Sequence, residues 1–127
     1  GIRYLVRSRG LGDVYKRQDG AMEDLKVLAK DTRNVYGAEA KYKVAQIYFD
    51  GGQTDKAEQE VLNYIEVSTP HTYWLARSFV LLADVYMKLG RNLDAKQYLL
   101  SLKQNYQADD DIAGMIESRL EKLKTEN

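Results

Sequence analysis

The chain has 127 residues, with 19 Lys and Arg against 19 Asp and Glu, which gives a formal net charge of zero. This length predicts one domain with a real core, and the balanced charge argues against a dedicated nucleic-acid binder or a polybasic membrane anchor. There is no cysteine and one histidine, His71, so we expect no disulfide, no thiol nucleophile, no metal site and no cofactor. No apolar run approaches the roughly 18 residues of a membrane span.

The first 18 residues differ in composition from the rest. They hold five of the 19 basic residues and one of the 19 acidic ones, so the remainder carries a net charge of −4. The run VRSRGLGDVYKRQ at 6–18 resembles the conceptual translation of a sequencing-library adapter. We therefore expect residues 1–18 to be a non-native or disordered leader. Two other interpretations stay open, a basic tail that binds an acidic partner and a divergent helix of a preceding repeat.

An internal repeat with a period of 38 is the strongest signal in the chain. Residues 38–67 align with residues 76–105 without a gap, and apolar residues in both recur every three or four positions, which predicts helices. The identical pairs are Ala38/Ala76, Ala45/Ala83, Tyr48/Tyr86, Gly52/Gly90, Ala57/Ala95, Gln59/Gln97 and Leu62/Leu100. Breaks at glycine divide each unit into two helices, predicted at 38–50 with 55–67 and at 70–89 with 92–105.

Local features specify how these helices begin and pack. Thr69 is expected to be an N-cap, with Pro70 at the first helical position, where its missing N–H costs nothing. Small residues allow paired helices to approach closely, and we expect this contact at Ala45, Ala57, Ala83 and Ala95. The rings of Tyr48 and Tyr86 are expected to pack at the edge of the core.

The two ends of the repeat region are predicted to be single helices. Residues 108–124 form an amphipathic pattern with Asp109–Asp111 at its N-terminus, which predicts a capping helix. Glu121 stands where a third repeat would need a small residue. Residues 21–35 are predicted to form one helix, the remnant of an earlier repeat within 19–36. Its expected inward side chains are Leu25, Leu28, Ala29 and Thr32.

The pattern resembles the tetratricopeptide repeat, in its small, aromatic and glycine positions at Ala45, Tyr48, Gly52 and Ala57 and again 38 residues later. The resemblance implies an all-α fold, an α-solenoid of tetratricopeptide-type helical hairpins with a C-terminal capping helix, its repeats at 38–69 and 70–107. The chain also resembles the C-terminal end of longer arrays of this family in Bacteroides-type bacteria.

The sequence departs from the family in three respects. Lys41 and Phe79 replace an early tryptophan, and the closing proline falls one position late at Pro70 and is missing after Tyr106. The period is 38 where the family commonly has about 34. We expect the difference to be an added helical turn at residues 71–74.

The resemblance implies that a peptide binds on the concave surface lined by the first helices. By spacing, the candidate partner-binding residues are Glu39, Tyr42, Gln46, Phe49, Arg77, Asp84, Met87 and Lys88, with Asp50 and Val80 on the same faces. The alternative for Phe49, Val80 and Met87 is packing against adjacent helices. The family subtype that clamps a terminal carboxylate uses Lys, Asn and Arg on these faces, and Glu39, Tyr42 and Gln46 depart from it.

Three other features have structural interpretations as well as functional ones. His71 lacks an obvious catalytic partner and is expected to be an exposed turn residue. Trp74 is either a binding hot spot or a cover for the core, and we expect the latter. Asp109–Asp111 lack the alternating ligands and central glycine of a calcium loop, so we expect helix capping.

These observations favour a non-enzymatic protein-interaction scaffold with a protein or peptide partner. An enzyme would need converging titratable groups, which the sequence does not place together. The alternative is a structural spacer or a dimerising end-piece of a larger repeat protein, so a homodimer is possible. The sequence does not distinguish the cytoplasm from the periplasm.

Overall fold

The structure is a computed structural model that describes residues 21–67 and 69–125. The predictions for residues 1–18 lie outside these ranges. Within the described residues there are helices and turns and no strands. The helices are α1 at 21–28, α2 (Val35–Asp50), α3 (Thr54–Glu66), α4 (Thr72–Lys88), α5 (Asn92–Asn105) and α6 (Ile112–Thr125).

The helices pack as a stack of two hairpins. Helix α2 pairs with α3 and α4 pairs with α5, while α4 also contacts α2 and α3, which joins the two hairpins. Helix α6 packs on α5 and α4 and buries Ile112, Ile116 and Leu123. The core therefore runs continuously between the hairpins and is covered at one end by α6. The prediction of an all-α stack with a C-terminal capping helix is confirmed.

The turn between the two helices of each hairpin has the same geometry. Gly52 and Gly90 have φ values of 80° and 78°. The N–H of Gln53 donates to the carbonyl of Tyr48 at 2.8 Å, and the N–H of Arg91 donates to the carbonyl of Tyr86 at 2.7 Å. This is a Schellman helix end, in which a residue in the left-handed region lets the chain satisfy the last carbonyls. The glycine recurs in both repeats because the turn needs a residue that adopts a positive φ without strain.

The repeated alanines lie where the paired helices touch. Ala45, Ala57, Ala83 and Ala95 are each at most 1% exposed. Because a methyl side chain keeps the interaxial distance short, larger residues here would separate the helices. All four positions are buried, as the prediction of close helix contact requires.

The prediction of one helix over 21–35 is wrong. Helix α1 ends at residue 28, and Leu28 is 49% exposed instead of inward, while Thr32 is buried as expected. Asn34 caps α2, since its side-chain oxygen accepts from the N–H of Tyr36 at 2.8 Å. The preceding turn lies against Gly37, where an added Cβ would come within 1.9 Å of the Asp31 carbonyl oxygen. A cap and this close contact end one helix and begin another.

The predicted entrance to α4 is also wrong. The helix begins at Thr72 with His71 as N-cap residue, instead of beginning at Pro70. The hydroxyl of Thr69 instead donates to the carbonyl of Thr32 at 2.7 Å and accepts from the N–H of His71 at 3.1 Å. Ring atom Nε2 of His71 lies 2.8 Å from the carbonyl oxygen of Arg33. These bonds join the α3–α4 connection to the α1–α2 connection.

The capping helix begins later than the predicted residue 108. It starts at Ile112, whose N–H donates to Oδ1 of Asp110 at 2.9 Å. The interpretation of the acidic triplet as a helix start is confirmed for Asp110. None of the helices in the described parts of the chain is long and apolar enough to cross a bilayer.

Candidate peptide-binding groove

A groove of about 530 Å³ lies between the C-terminal parts of α2 and α4 and helix α6. Its lining residues are Phe49, Asp84, Met87, Lys88, Ser118, Arg119 and Lys122. Four of the eight residues predicted to bind a partner are therefore brought together here. The first helices of both hairpins contribute to it, as the spacing predicted.

Helical periodicity explains which side chains reach the groove. Asp84, Met87 and Lys88 stand at positions i, i+3 and i+4 of α4 and share one face. Phe49 is the repeat equivalent of Met87, since 38 residues separate them. Side chains at equivalent repeat positions thus line the same groove and form the apolar part of its lining.

An ion pair forms part of the groove wall. Nε of Arg119 lies 3.1 Å from Oδ1 of Asp84, and Nη2 lies 3.1 Å from Oδ2. The guanidinium fork thus binds the carboxylate with two parallel hydrogen bonds, the geometry that makes such pairs strong. The charge of Asp84 is neutralised within the protein.

Two lysines in the groove lining are exposed, one on α4 and one on α6. Lys88 ends α4 and Lys122 lies in the last turn of α6. Within the described ranges neither ammonium forms an ion pair. With the Asp84–Arg119 pair neutral, these two lysines give the groove a positive charge.

The apolar lining has two roles. Phe49 and Met87 are partly buried and pack against the core, as the structural alternative proposed, and both also line the groove. Val80 is 2% exposed and belongs to the core alone. Its expected place on the groove-facing surface is therefore wrong, because α4 turns that position toward its neighbouring helices.

A chain of polar contacts crosses the same face on the side of α4 nearer its N-terminus. Nη2 of Arg77 donates to the hydroxyl of Tyr42 at 3.1 Å, and that hydroxyl donates to Oε1 of Gln46 at 2.7 Å. On the other side, Nη1 of Arg77 donates to the hydroxyl of Tyr73 at 3.2 Å, which donates to Oδ1 of Asp111 at 2.9 Å. This series of hydrogen bonds links α2, α4 and the connection before α6.

Aromatic rings surround the guanidinium of Arg77. Its carbon Cζ lies 4.9 Å from the ring centroid of Tyr42, 5.8 Å from that of Trp74 and 6.0 Å from that of Tyr73. A guanidinium over such ring faces is stabilised by their electron density. Trp74 also packs against the core, so its expected role as a cover is confirmed.

The predicted binding residues thus fall into two groups. Tyr42 is 7% exposed, and Tyr42 and Arg77 are engaged with each other. Gln46 donates to Asp50 at 2.8 Å, and Glu39 pairs with Lys43 at 2.7 Å. These side chains lie outside the lining of the groove, whereas Phe49, Asp84, Met87 and Lys88 form it.

The sequence prediction missed the contribution of α6. Ser118, Arg119 and Lys122 line the groove, although the segment was interpreted only as a cap. A signal was present, because Lys122 follows Asp84 by one repeat period of 38 residues. Helix α6 therefore presents its groove residues as a further first helix would.

The described residues hold no group of three His, Asp or Glu side chains arranged to bind a metal ion. Burial, with the hydrogen bond to Asp110, raises the pKa of Tyr106 to about 12. Burial is likewise the main cause of the raised pKa of Tyr73, whose hydroxyl contacts Arg77 and Asp111. Both effects keep the phenols protonated, which is the state that donates these hydrogen bonds.

Residues 76–106 match the family model of the tetratricopeptide repeat. This match and the helical structure support a tetratricopeptide-repeat protein, and the fold is an all-α solenoid of tetratricopeptide-type hairpins. The matched segment begins four residues after the start of α4 at Thr72. No curated protein and no solved structure matches the chain.

Proposed function

We propose that this tetratricopeptide-type solenoid is a non-enzymatic interaction scaffold that binds a peptide or a partner helix in the groove between α2, α4 and α6. Tetratricopeptide repeats generally mediate protein–protein interactions, and the match at 76–106 supports this class for the chain. The observation that carries the proposal is the groove itself, which combines apolar side chains with exposed lysines.

The physical basis of binding is a rigid surface. The helices that line the groove are held by the buried alanine contacts and by the Asp84–Arg119 pair. A peptide that docks there loses its own conformational entropy while the protein loses little, which favours affinity. Met87 adds an unbranched, polarizable side chain that adapts to the shape of an apolar partner residue.

The absence of cysteine from the sequence allows a direct test by chemical blocking. The variant Ser118→Cys places a unique thiol in the groove, and Lys96→Cys places one on an exposed position of α5. Peptides that bind the full chain are first selected from a displayed random peptide library. Their affinity for each variant is then measured before and after reaction with a biphenyl maleimide.

We expect the adduct on the Ser118→Cys variant to weaken binding at least tenfold and the adduct on the Lys96→Cys variant to leave it unchanged. Each variant is compared with itself before and after labelling, so differences in folding between the two variants do not affect the measured change in affinity. Full binding by the blocked Ser118→Cys variant, or a library that yields no specific peptide, contradicts the proposal.

A second candidate function, the dimerising end-piece, is favoured by four exposed apolar side chains in α1 and at the start of α2. Val27 and Tyr36 are 64% and 68% exposed, and Leu28 and Val35 are also exposed. Light scattering tests this candidate. A dimer that becomes a monomer in the Val27→Glu/Tyr36→Glu variant supports it, and a monomeric full chain at high concentration rules it out.

A further inference from the structure

We propose that the occupant of the groove is an internal acidic peptide segment, in which an Asp or Glu side chain lies near an aliphatic or aromatic one. This inference rests on the proposed function and deepens it by stating the chemistry of the partner. It follows from the charges and the apolar surface of the groove, taken together.

The charge of the groove is opposite to that of most of the chain. Beyond residue 18 the chain is net acidic, yet the groove presents the ammonium groups of Lys88 and Lys122. Among the described residues that line it, the one carboxylate is that of Asp84, which is held by Arg119 through two hydrogen bonds. Electrostatic complementarity therefore selects a negatively charged partner over a neutral or basic one.

Asp50, an acidic residue at the end of α2, does not cancel that charge from within the groove. Asp50 ends α2 and accepts a hydrogen bond from Gln46 at 2.8 Å, and it is not among the lining residues. In the repeat, Asp50 corresponds to Lys88, which lies 38 residues later. The second unit thus carries a cation where the first carries an acid, and the positive charge is local to α4 and α6.

The apolar residues determine what must accompany the carboxylate. Phe49 and Met87 line the groove beside Lys88, so a partner that places only charge there would leave this surface exposed to water. A carboxylate can meet the ammonium groups while an adjacent apolar side chain covers Phe49 and Met87. Both lysines also offset the partial negative charge of helix C-termini, so substitution tests must separate binding from stability.

The test uses the library-selected peptides and synthetic copies in which every Asp and Glu is replaced by Asn and Gln. All copies have amidated C-termini, so that side-chain carboxylates are their only anions. The protein variants are Lys88→Glu/Lys122→Glu and, as a matched control, Lys96→Glu/Lys124→Glu. Both doubles change the net charge by the same amount at exposed positions, and thermal unfolding verifies that each is folded.

We expect the selected peptides to be enriched in Asp and Glu and the amide copies to bind at least tenfold more weakly. The Lys88→Glu/Lys122→Glu variant should lose at least tenfold in affinity, and the Lys96→Glu/Lys124→Glu control should bind as the unmodified chain does. Added salt should weaken binding of the selected peptides. Amide copies that bind equally well, with binding still lost on blocking the groove, overturn this inference alone. Peptides that ignore the blocked groove overturn the proposed function as well.

Discussion

Arg119 of α6 holds the carboxylate of Asp84 on α4 with two hydrogen bonds of 3.1 Å, across 35 residues of sequence. Both side chains are about one quarter exposed, at 27% and 21%. This bidentate pair is a direct polar link between the capping helix and the second hairpin. It couples the position of α6 to the shape of the groove, because both residues line that groove.

Replacing Asp84 with Ala should lower the free energy of unfolding by about 1–2 kcal/mol, since it leaves the largely buried guanidinium of Arg119 without its acceptor. Urea unfolding measures the effect, and a double-mutant cycle with Arg119→Ala isolates the pair. The control is Glu117→Ala, which removes the more exposed pair with Lys103 and should cost less than about 0.5 kcal/mol. Equal effects of the two substitutions would contradict this ranking.

Replacing Ala83 with Leu should destabilise the fold by about 1–3 kcal/mol, because Ala83 is completely buried between paired helices and the core cannot accept the added volume. Chemical unfolding of this variant is compared with that of Ala113→Leu, at an exposed position of α6. The exposed variant should differ from the parent by less than about 0.5 kcal/mol. A neutral Ala83→Leu substitution would show that the helices do not meet at this position.

Two glycine substitutions should have opposite signs. Gly90 has φ of 78° with open space around it, so Gly90→Ala should cost about 1 kcal/mol from backbone conformation alone. Gly114 lies within α6, also in open space, and Gly114→Ala should stabilise the chain by about 0.5–1 kcal/mol. Thermal unfolding of both variants decides the matter, and a stabilising Gly90→Ala would refute the assigned turn.

Replacing Arg77 with Lys should destabilise the protein by about 1–2 kcal/mol. An ammonium cannot reproduce the planar fork that bonds the hydroxyls of Tyr42 and Tyr73. Trp74, the one tryptophan of the chain, lies beside this guanidinium, so its fluorescence reports the unfolding. The matched control is Arg91→Lys at a half-exposed site over Tyr86, and comparable losses there would argue against a special role for Arg77.

Stability should fall in alkaline solution as Tyr106 ionises. Burial and the bond to Asp110 raise its pKa from 10.0 to about 12, so the folded chain favours the protonated phenol. The resulting stabilisation is complete below about pH 10 and is lost as the pH rises through 12. Urea unfolding across this range should show a shallower decline for Tyr106→Phe. Identical pH profiles for the variant and the parent would exclude this contribution.

The sequence alone predicted the repeated architecture, for a local reason. Helical spacing and the recurrence of small residues and glycine every 38 positions reflect requirements of single helices and of their immediate partners. Such requirements are encoded within one hairpin. The sequence could therefore predict the buried positions of Ala45 and Ala83 and the turns at Gly52 and Gly90. Of the eight partner-binding residues that helical spacing predicted, four line the groove.

Contacts between distant segments were decided only by the tertiary structure. The hydrogen bonds of Arg77 to Tyr42 and of Arg119 to Asp84 each join residues 35 positions apart. The sequence around one residue of such a pair does not indicate which distant residue it will contact. The break between α1 and α2 depends on the tight approach at Gly37, and the start of α4 on the bond between Thr69 and Thr32. The helix propensity of a local segment does not depend on such contacts, because these contacts contribute to stability only after the helices have packed.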